Sequence, residues 1–251
     1  MHLRQGTAAT LLAACFVPLS AQGQVFTLTQ EQMIKYTAQN PYERFPDGRP
    51  KVPDELLAKV RGLSAADVGI ARNGFQNQFV DSLQNLHPGK KLVGRAVTLQ
   101  LAPLRPDVGD AIQVDWRAKG NRRMLDHQTA LDTLGPGDVI VVDAFGSIPV
   151  GGIIGDNLAY YIWKKTGTGF VIDGAIRDLD GISEWDMPGF FKGATPPAIH
   201  GTMVMGINIP VRIGATTVMP GDVVLGDREG VIFIPPHLVQ GVVDAAAARK
   251  R

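Results

Sequence analysis

One device, used twice, constrains the fold of this chain more than any other feature. It occurs as Pro136-Gly137-Asp138-Val139-Ile140-Val141-Val142-Asp143 and again as Pro220-Gly221-Asp222-Val223-Val224-Leu225-Gly226-Asp227. Pro-Gly is a turn signal, and the apolar run after it reads as a buried strand. Two copies are too few for a solenoid. They place the same turn-plus-strand unit twice in one sheet system. Between them the pattern predicts a helix over residues 157–165 and a strand over 169–176. Upstream, alternating and β-branched residues predict a strand over 91–101. Further strands are expected over 204–213 and 231–234, and a terminal helix over 237–249. Helical spacing predicts a helix in ELLAKVRGL, residues 55–63. Ser64 suits the N-cap of a second helix over 65–75, because its hydroxyl can satisfy a free amide. The stretch 107–134 is mixed, with a helix expected over 124–134. With 29 Gly and 17 Pro the chain favours many turns and short strands over a helical bundle. The sum is α/β with many short strands.

Composition excludes several classes. Twenty-five basic against 24 acidic side chains give a net charge of +1, which rules out a strongly basic nucleic-acid binder. Hydrophobic residues at 45% and charged residues at 20% are ordinary for a globular protein. Cys15 is the single cysteine, so neither a disulfide framework nor a cysteine-based zinc site is available.

Residues 1–23 read as a secretory signal peptide. His2 and Arg4 make a short positive start, an apolar run from Thr7 to Leu19 follows, and Ala21-Gln22-Gly23 fits a small-x-small cleavage site. The run is too short to span a bilayer comfortably. Leu12-Ala13-Ala14-Cys15 also matches a lipobox, which would anchor the chain by a lipid on Cys15. The expected location is therefore periplasmic or secreted, with a lipoprotein as the variant. Residues 24–53, with Pro41, Pro46, Pro50 and Pro53, read as an irregular N-terminal arm, and the main domain is expected over 54–251.

The common catalytic motifs are absent: no HExxH, GxSxG, Walker A, GxGxxG or CxxC occurs. Two segments stand out instead. In Gly151-Gly152-Ile153-Ile154-Gly155-Asp156-Asn157-Leu158, glycines precede a helix start, with Asp156 or Asn157 as the expected cap. Such a turn exposes amides to an anion and suits a bound carboxylate. It equally fits a tight turn with a capped helix. In Val171-Ile172-Asp173-Gly174-Ala175-Ile176-Arg177-Asp178, an apolar strand ends in an Arg-Asp pair. The arginine can fork onto a carboxylate, and the aspartate can hold a divalent cation that keeps several waters. A solvated turn with two surface charges is the alternative. Twenty residues separate Asp156 from Arg177.

Gly152-x-x-Gly155-Asp156, then Asp173-Gly174-x-x-Arg177-Asp178, resembles the signature of the RraA-like family, which includes the class II 4-hydroxy-4-methyl-2-oxoglutarate aldolases. The segment from Pro220-Gly221-Asp222 through Asp227-x-x-Gly230-Val231 is similar too, and the resemblance spans roughly residues 54–245. It implies a β/β/α sandwich of the swivelling-domain type, assembled as a homotrimer or a hexamer with the active site between subunits. It further implies that Asp178 holds Mg²⁺ or Mn²⁺ and that Arg177 binds the pyruvyl group of a small anionic 2-oxo acid. Asp156 would orient a water or act as base, and Gly155, Asp156, Asn157 and Leu158 would cradle the carboxylate. The family also uses an acid from the neighbouring subunit. Glu229 and Asp244 are candidates for it, with Asp227 read as structural.

The activity so implied is cleavage of a 4-hydroxy-2-oxo acid to pyruvate through a metal-stabilised enolate, with oxaloacetate decarboxylation as a side activity. No Schiff-base lysine is needed, and Lys164 and Lys165 read as solvated or as partners of a helix C-terminus. His200 is weighed as a substrate contact or a structural hydrogen bond. Asn77, Gln78 and Phe79 are weighed as a wall of the site, Trp116, Trp163 and Trp185 as packing, and Arg122-Arg123 as a solvated pair. Two other readings stand beside the aldolase. One is a lyase or hydro-lyase for another sugar acid or 2-oxo acid. The other is a non-catalytic RraA-like binding protein, against which export argues, because the ribonuclease partner is cytoplasmic.

Overall fold

The computed structural model describes residues 26–70 and 74–249. The signal-peptide reading and Cys15 lie outside the described residues, as do residues 71–73. Both Pro-Gly-Asp devices form as expected. Each is a type II turn with the glycine at φ near +80°, Gly137 at 78° and Gly221 at 88°. Each turn feeds a fully buried strand, β4 (Asp138–Asp143) and β10 (Val223–Gly226). Between them in the sheet lies the long β3 (Leu92–Pro103), parallel to β4 and antiparallel to β10.

The sheet then continues on both sides. β5 (Phe170–Ile176) and β6 (Gly189–Ala194) extend it in parallel beyond β4, and β2 (Gln84–Asn85) closes that edge. β11 (Val231–Ile234) and β1 (Phe79–Val80) extend it beyond β10. The far half of β3 pairs with β7 (Thr202–Ile207) from Leu99 on, with a register shift between Gln100 and Leu101. A separate hairpin, β8 (Val211–Ile213) with β9 (Thr216–Val218), packs on one face.

Alternation along the strands divides the core. Val139, Val141 and Val171 point to the hairpin side, together with Val211, Ile213 and Val218. Ile140, Val142 and Ile172 point to the other side. There they meet Ile112 of α3 (Pro106–Ala118), Leu131 of α4 (His127–Asp132) and Ile162 of α5 (Asp156–Thr166). A third cluster buries α2 (Asp54–Arg61) and α7 (Val239–Arg249) against β10 and β11. A strand layer on one face and helices on the other give the expected β/β/α layering.

Several local expectations are corrected. Of the helix expected over 65–75, residues 71–73 lie outside the described residues, and residues 65–70 hold only a three-residue 3-10 turn, Ala65–Asp67. Val68 turns extended there, and Val68 and Ile70 are both buried in the core that holds α2. The Ser64 amide and hydroxyl both donate to Asp67 at 2.9 Å, tying the turn off locally. The helix expected over 124–134 is only α4, capped by Asp126. The stretch before it contains a helix the pattern did not resolve, α3, with Pro106 at its first turn. The strand expected over 204–213 breaks at Asn208, which sits at φ 52°, with Pro210 two residues on. The arm is not wholly irregular: α1 (Gln30–Tyr36) begins with a Thr29–Gln32 capping box. α6 (Leu179–Ser183) completes the helices and follows β5.

Candidate functional site

The site forms at the C-terminal ends of parallel strands, where open α/β sheets gather ligands. β5 is buried throughout, and the chain surfaces at Arg177 and Asp178 as the strand ends. Asp178 adopts a left-handed conformation (φ 58°, ψ 43°) and opens α6. Its side chain makes no capping bond there. The carboxylate instead lies 3.5 Å from Arg177 Nε, with both side chains between a third and two-fifths exposed.

The glycine-rich loop is stitched in beside them. Ile153 N–H donates to Ala175 O at 2.8 Å, and Arg177 N–H donates to Ile154 O at 2.9 Å. On the loop's other side Gly152 N–H donates to Pro197 O, and Ile199 N–H donates to Gly152 O. This close seating demands glycine at 152, where a Cβ would stand 2.8 Å from Arg177 N and 2.9 Å from Ile176 C, and a Cβ at 155 would crowd Asp178 Oδ2. The loop ends in α5. Its first intrahelical bond runs from Ala159 N–H to Gly155 O, so the amides of Asp156, Asn157 and Leu158 precede the helix's own ladder. Gly155 is the N-cap, in place of the expected Asp156 or Asn157. Asp156 sits in the first turn and its Oδ1 accepts the Asn157 amide at 2.7 Å. That amide is therefore shared with Asp156 rather than wholly open to an anion.

A cavity of about 150 Å³ brings together Gly155, Asp156, Asn157, Leu158 and Arg177. Its far wall is the start of α4, His127 and Gln128, which the sequence reading passed over. Burial pushes the His127 imidazole below its ordinary range, with the charge of Asp126 opposing, so the ring is neutral at pH 7. The one available signal was the Asp126-x-x-Thr129 capping box, which marks where α4 begins but not what it packs beside. Arg123 reaches the rim indirectly, donating to Gln128 Oε1 at 3.2 Å and pairing with Asp132 at 3.2 Å. No lysine lines this cavity. Lys165 donates to the Asp132 carbonyl at 2.8 Å, and Lys164 stands 4.5 Å from the Trp163 ring.

The remaining candidates fall elsewhere. His200 is exposed, its Nδ1 3.2 Å from Ala198 O, and its neighbours Ala198 and Ile199 line the cavity in its stead. Gln78 and Phe79 line other cavities, so they wall no part of the Arg177 cavity within one protomer. Glu229 and Asp244 are exposed and outside it. Asp227 is buried and accepts the Ala65 and Glu229 amides at 2.7 and 2.9 Å, a structural part. Trp116, Trp163 and Trp185 pack on the helix-side core. No helix among the described residues is long and apolar enough to cross a membrane.

Among the described residues no three His, Cys, Asp or Glu side chains converge as a metal cage. A hard divalent cation that keeps several waters asks for only one or two carboxylates. Asp178 fits that demand: it is accessible, uncapped, and faces the space left by the missing Cβ of Gly155.

The chain is similar to known proteins over most of its length. A Halalkalibacterium halodurans protein provisionally named a 4-hydroxy-4-methyl-2-oxoglutarate aldolase is 29% identical over 196 residues, 78% of this chain and 84% of that protein. A Thermus thermophilus protein named 4-hydroxy-4-methyl-2-oxoglutarate aldolase is 27% identical over 154 residues, 56% of this chain and 93% of that protein. Among solved structures, Streptomyces coelicolor RraAS2, described as an unusual member of the RNase ES inhibitor RraA family, superposes with a TM-score of 0.69 at 29% identity. That match covers 80% of this chain and 95% of RraAS2. The family model described as RraA-like (Aldolase/RraA) matches residues 63–233, and the chain belongs to that family.

Proposed function

We propose that this protein is a divalent-metal-dependent lyase that cleaves a 4-hydroxy-2-oxo acid of the 4-hydroxy-4-methyl-2-oxoglutarate type to pyruvate. One observation carries the reading: a single cavity joins the first-turn amides of α5 to Arg177, with Asp178 at its edge. Arg177 neutralises the pyruvyl carboxylate and fixes its pose, while the α5 amides supply dipoles to the same anion. Asp156, in the first turn of α5, takes the proton of the 4-hydroxyl, directly or through a water. The C4–O bond then closes to a carbonyl as the C3–C4 bond breaks; the C4 fragment leaves as a second 2-oxo acid, the bond's electron pair passes to the pyruvyl fragment, and a proton is added at C3 to give pyruvate. Mg²⁺ or Mn²⁺ held by Asp178 supplies, when bound, the positive charge that stabilises the electrons gathering on the 2-oxo group. Loss of CO₂ from oxaloacetate places the same electron pair on the same fragment, so the site serves that reaction as well.

At about 150 Å³ the cavity suits the three-carbon pyruvyl half of such a substrate. The rest of the substrate would lie against a second subunit of a trimer, which would contribute Glu229 or Asp244. Residues 1–23 are read as an export signal, and a mature N-terminus at Gln24, found by mass spectrometry of the secreted chain, is the expected product.

The decisive assay is pyruvate release from 4-hydroxy-4-methyl-2-oxoglutarate and from oxaloacetate, with Mg²⁺ and then with EDTA. Turnover is expected with the metal and not with the chelator, and Asp178→Ala should lower it by about a hundredfold or more. Full turnover in Asp178→Ala would remove the metal from Asp178. No turnover by an intact, metal-loaded oligomer would turn the reading to a non-catalytic binding protein.

A further inference from the structure

The two Pro-Gly-Asp turns end in two buried aspartates with opposite electrostatic fates. Asp138 and Asp222 are 1% and 3% exposed. Each accepts the amide three residues back, from Gly135 at 2.9 Å and from Met219 at 2.8 Å. Asp138 also receives a two-pronged guanidinium, with Arg49 Nη1 on Oδ1 at 2.7 Å and Nη2 on Oδ2 at 3.1 Å. Among the described residues no cationic side chain forms an ion pair with Asp222. Burial pushes its carboxyl up to about 7, with only the Met219 amide opposing.

What stands beside Asp222 is a cavity of about 430 Å³, within the range of small-molecule sites. It lies apart from Arg177 and Asp178. Phe75, Met219, Pro235 and Pro236 supply its apolar walls, and residues 35–40 of the arm close its other side. Gln78 lines it too, and its Oε1 is buried without a hydrogen-bond partner. His237 sits 5.7 Å from Phe75, ring to ring, and burial lowers its pKa, so it brings no charge at neutral pH. Lys35 is the one lysine on the wall, and its side chain stays exposed on α1.

We propose that this cavity binds a small organic cation, a guanidinium or primary amine, with Asp222 as its counter-ion and Gln78 Oε1 as a second acceptor. The ligand does for Asp222 what Arg49 does for Asp138. A planar guanidinium matches this best, because it can fork onto a carboxylate while its face lies on apolar and aromatic walls. Binding favours the ionised carboxylate, so uptake of the cation expels the proton that the empty site retains.

Calorimetric titration of the full chain with methylguanidinium tests this, with N-methylurea as a neutral control of the same shape. Methylguanidinium should bind, and N-methylurea at least about tenfold more weakly. Affinity should be about tenfold lower at pH 6 than at pH 8, following ionisation of a single carboxyl. Lys35, Tyr36 and His237 are the other titratable groups on the wall. A His237→Asn variant should keep the pH dependence, and Asp222→Asn should lose both it and the binding. Thr217→Trp, at an exposed wall position, should block entry without touching the acceptors. Equal binding of the urea, undiminished binding in Asp222→Asn or Thr217→Trp, or no binding at millimolar methylguanidinium would overturn the proposal.

Discussion

The turn before β4 and the turn before β10 share a sequence, a backbone and a hydrogen-bond pattern, yet their aspartates live in different electrostatic worlds. Both flank the start of β3, where Arg95 faces Asp138 on one side and Val223 on the other. The difference comes from the arm, whose Arg49 lies 89 residues before Asp138. Arg49 reaches under the sheet to Asp138, with the Phe45 ring 4.2 Å from its guanidinium. Among the described residues no cation pairs with Asp222, and a cavity stands beside it. Local sequence therefore dictates the turn, while the company of its carboxylate is decided by a distant segment. It follows that the arm is structural: Arg49, Val52 and Met33 are all buried.

Removing Arg49 breaks the comparison at its stronger side. Arg49→Met would leave Asp138 ionisable, buried and unpaired, at an expected cost of about 3–5 kcal/mol. Urea denaturation should show this as a large fall in the midpoint. Adding Asp138→Asn to the same chain should return most of it, because the uncompensated charge is then gone. If the double variant is no better than the single one, Arg49 acts through packing on Phe45 and not through the pair.

Asp222→Asn tests the weaker side. The folded carboxyl titrates at about 7, above its ordinary 3.8. From about pH 4 to pH 7 the unfolded chain has lost this proton and the folded chain keeps it. The unfolded state then binds fewer protons, so this group lowers stability as pH rises through that window, and the loss levels off above pH 7. Between pH 5 and pH 8 the parent should lose about 2–3 kcal/mol relative to Asp222→Asn. A parallel pH dependence in both chains would mean that Asp222 is compensated in solution.

How far the sequence could be read follows the same division between local and distant. The turns, β3, β5, α5 and β11 were legible, because each is fixed by a run of residues with one period and a bounding turn. Gly155, Asp156, Asn157, Leu158 and Arg177 were legible as one site through a fixed motif spacing, and the structure brings them to one cavity. His127 and Gln128 were not, since only the packing of α4 beside the glycine-rich loop places them there. The failed helix after Ser64 has the same cause: Ala65 gives its amide to Asp227 at 2.7 Å, a bond spanning most of the chain. α3 was missed because its buried side is slight, with only Gly109 and Ile112 fully covered. The Arg49–Asp138 pair carried no sequence signal at all, for its partners share neither a motif nor a period.

The smallest expected difference lies in the turn glycines themselves. Gly137 and Gly221 both hold a positive φ that an L side chain adopts at a cost of about 1–2 kcal/mol, so alanine at either should destabilise by at least that. The two should then part company. A Cβ at 137 would meet Arg95 Nη1 at 2.7 Å, the tip of a buried side chain whose Nε is held by Val52 O, so only the guanidinium end has to shift, toward a partner, Asp54, that is 86% exposed. A Cβ at 221 would meet Pro50 Cδ at 2.7 Å and Pro50 N at 3.1 Å, a ring and a backbone that cannot swing aside. Gly221→Ala should therefore cost about 1 kcal/mol more than Gly137→Ala, within the usual range for forced overpacking. Equal losses in paired denaturation curves would mean that Pro50 gives way as easily as the arginine. The arm would then rest on the second turn more loosely than on the first, as expected of a segment whose one buried cation is committed to Asp138.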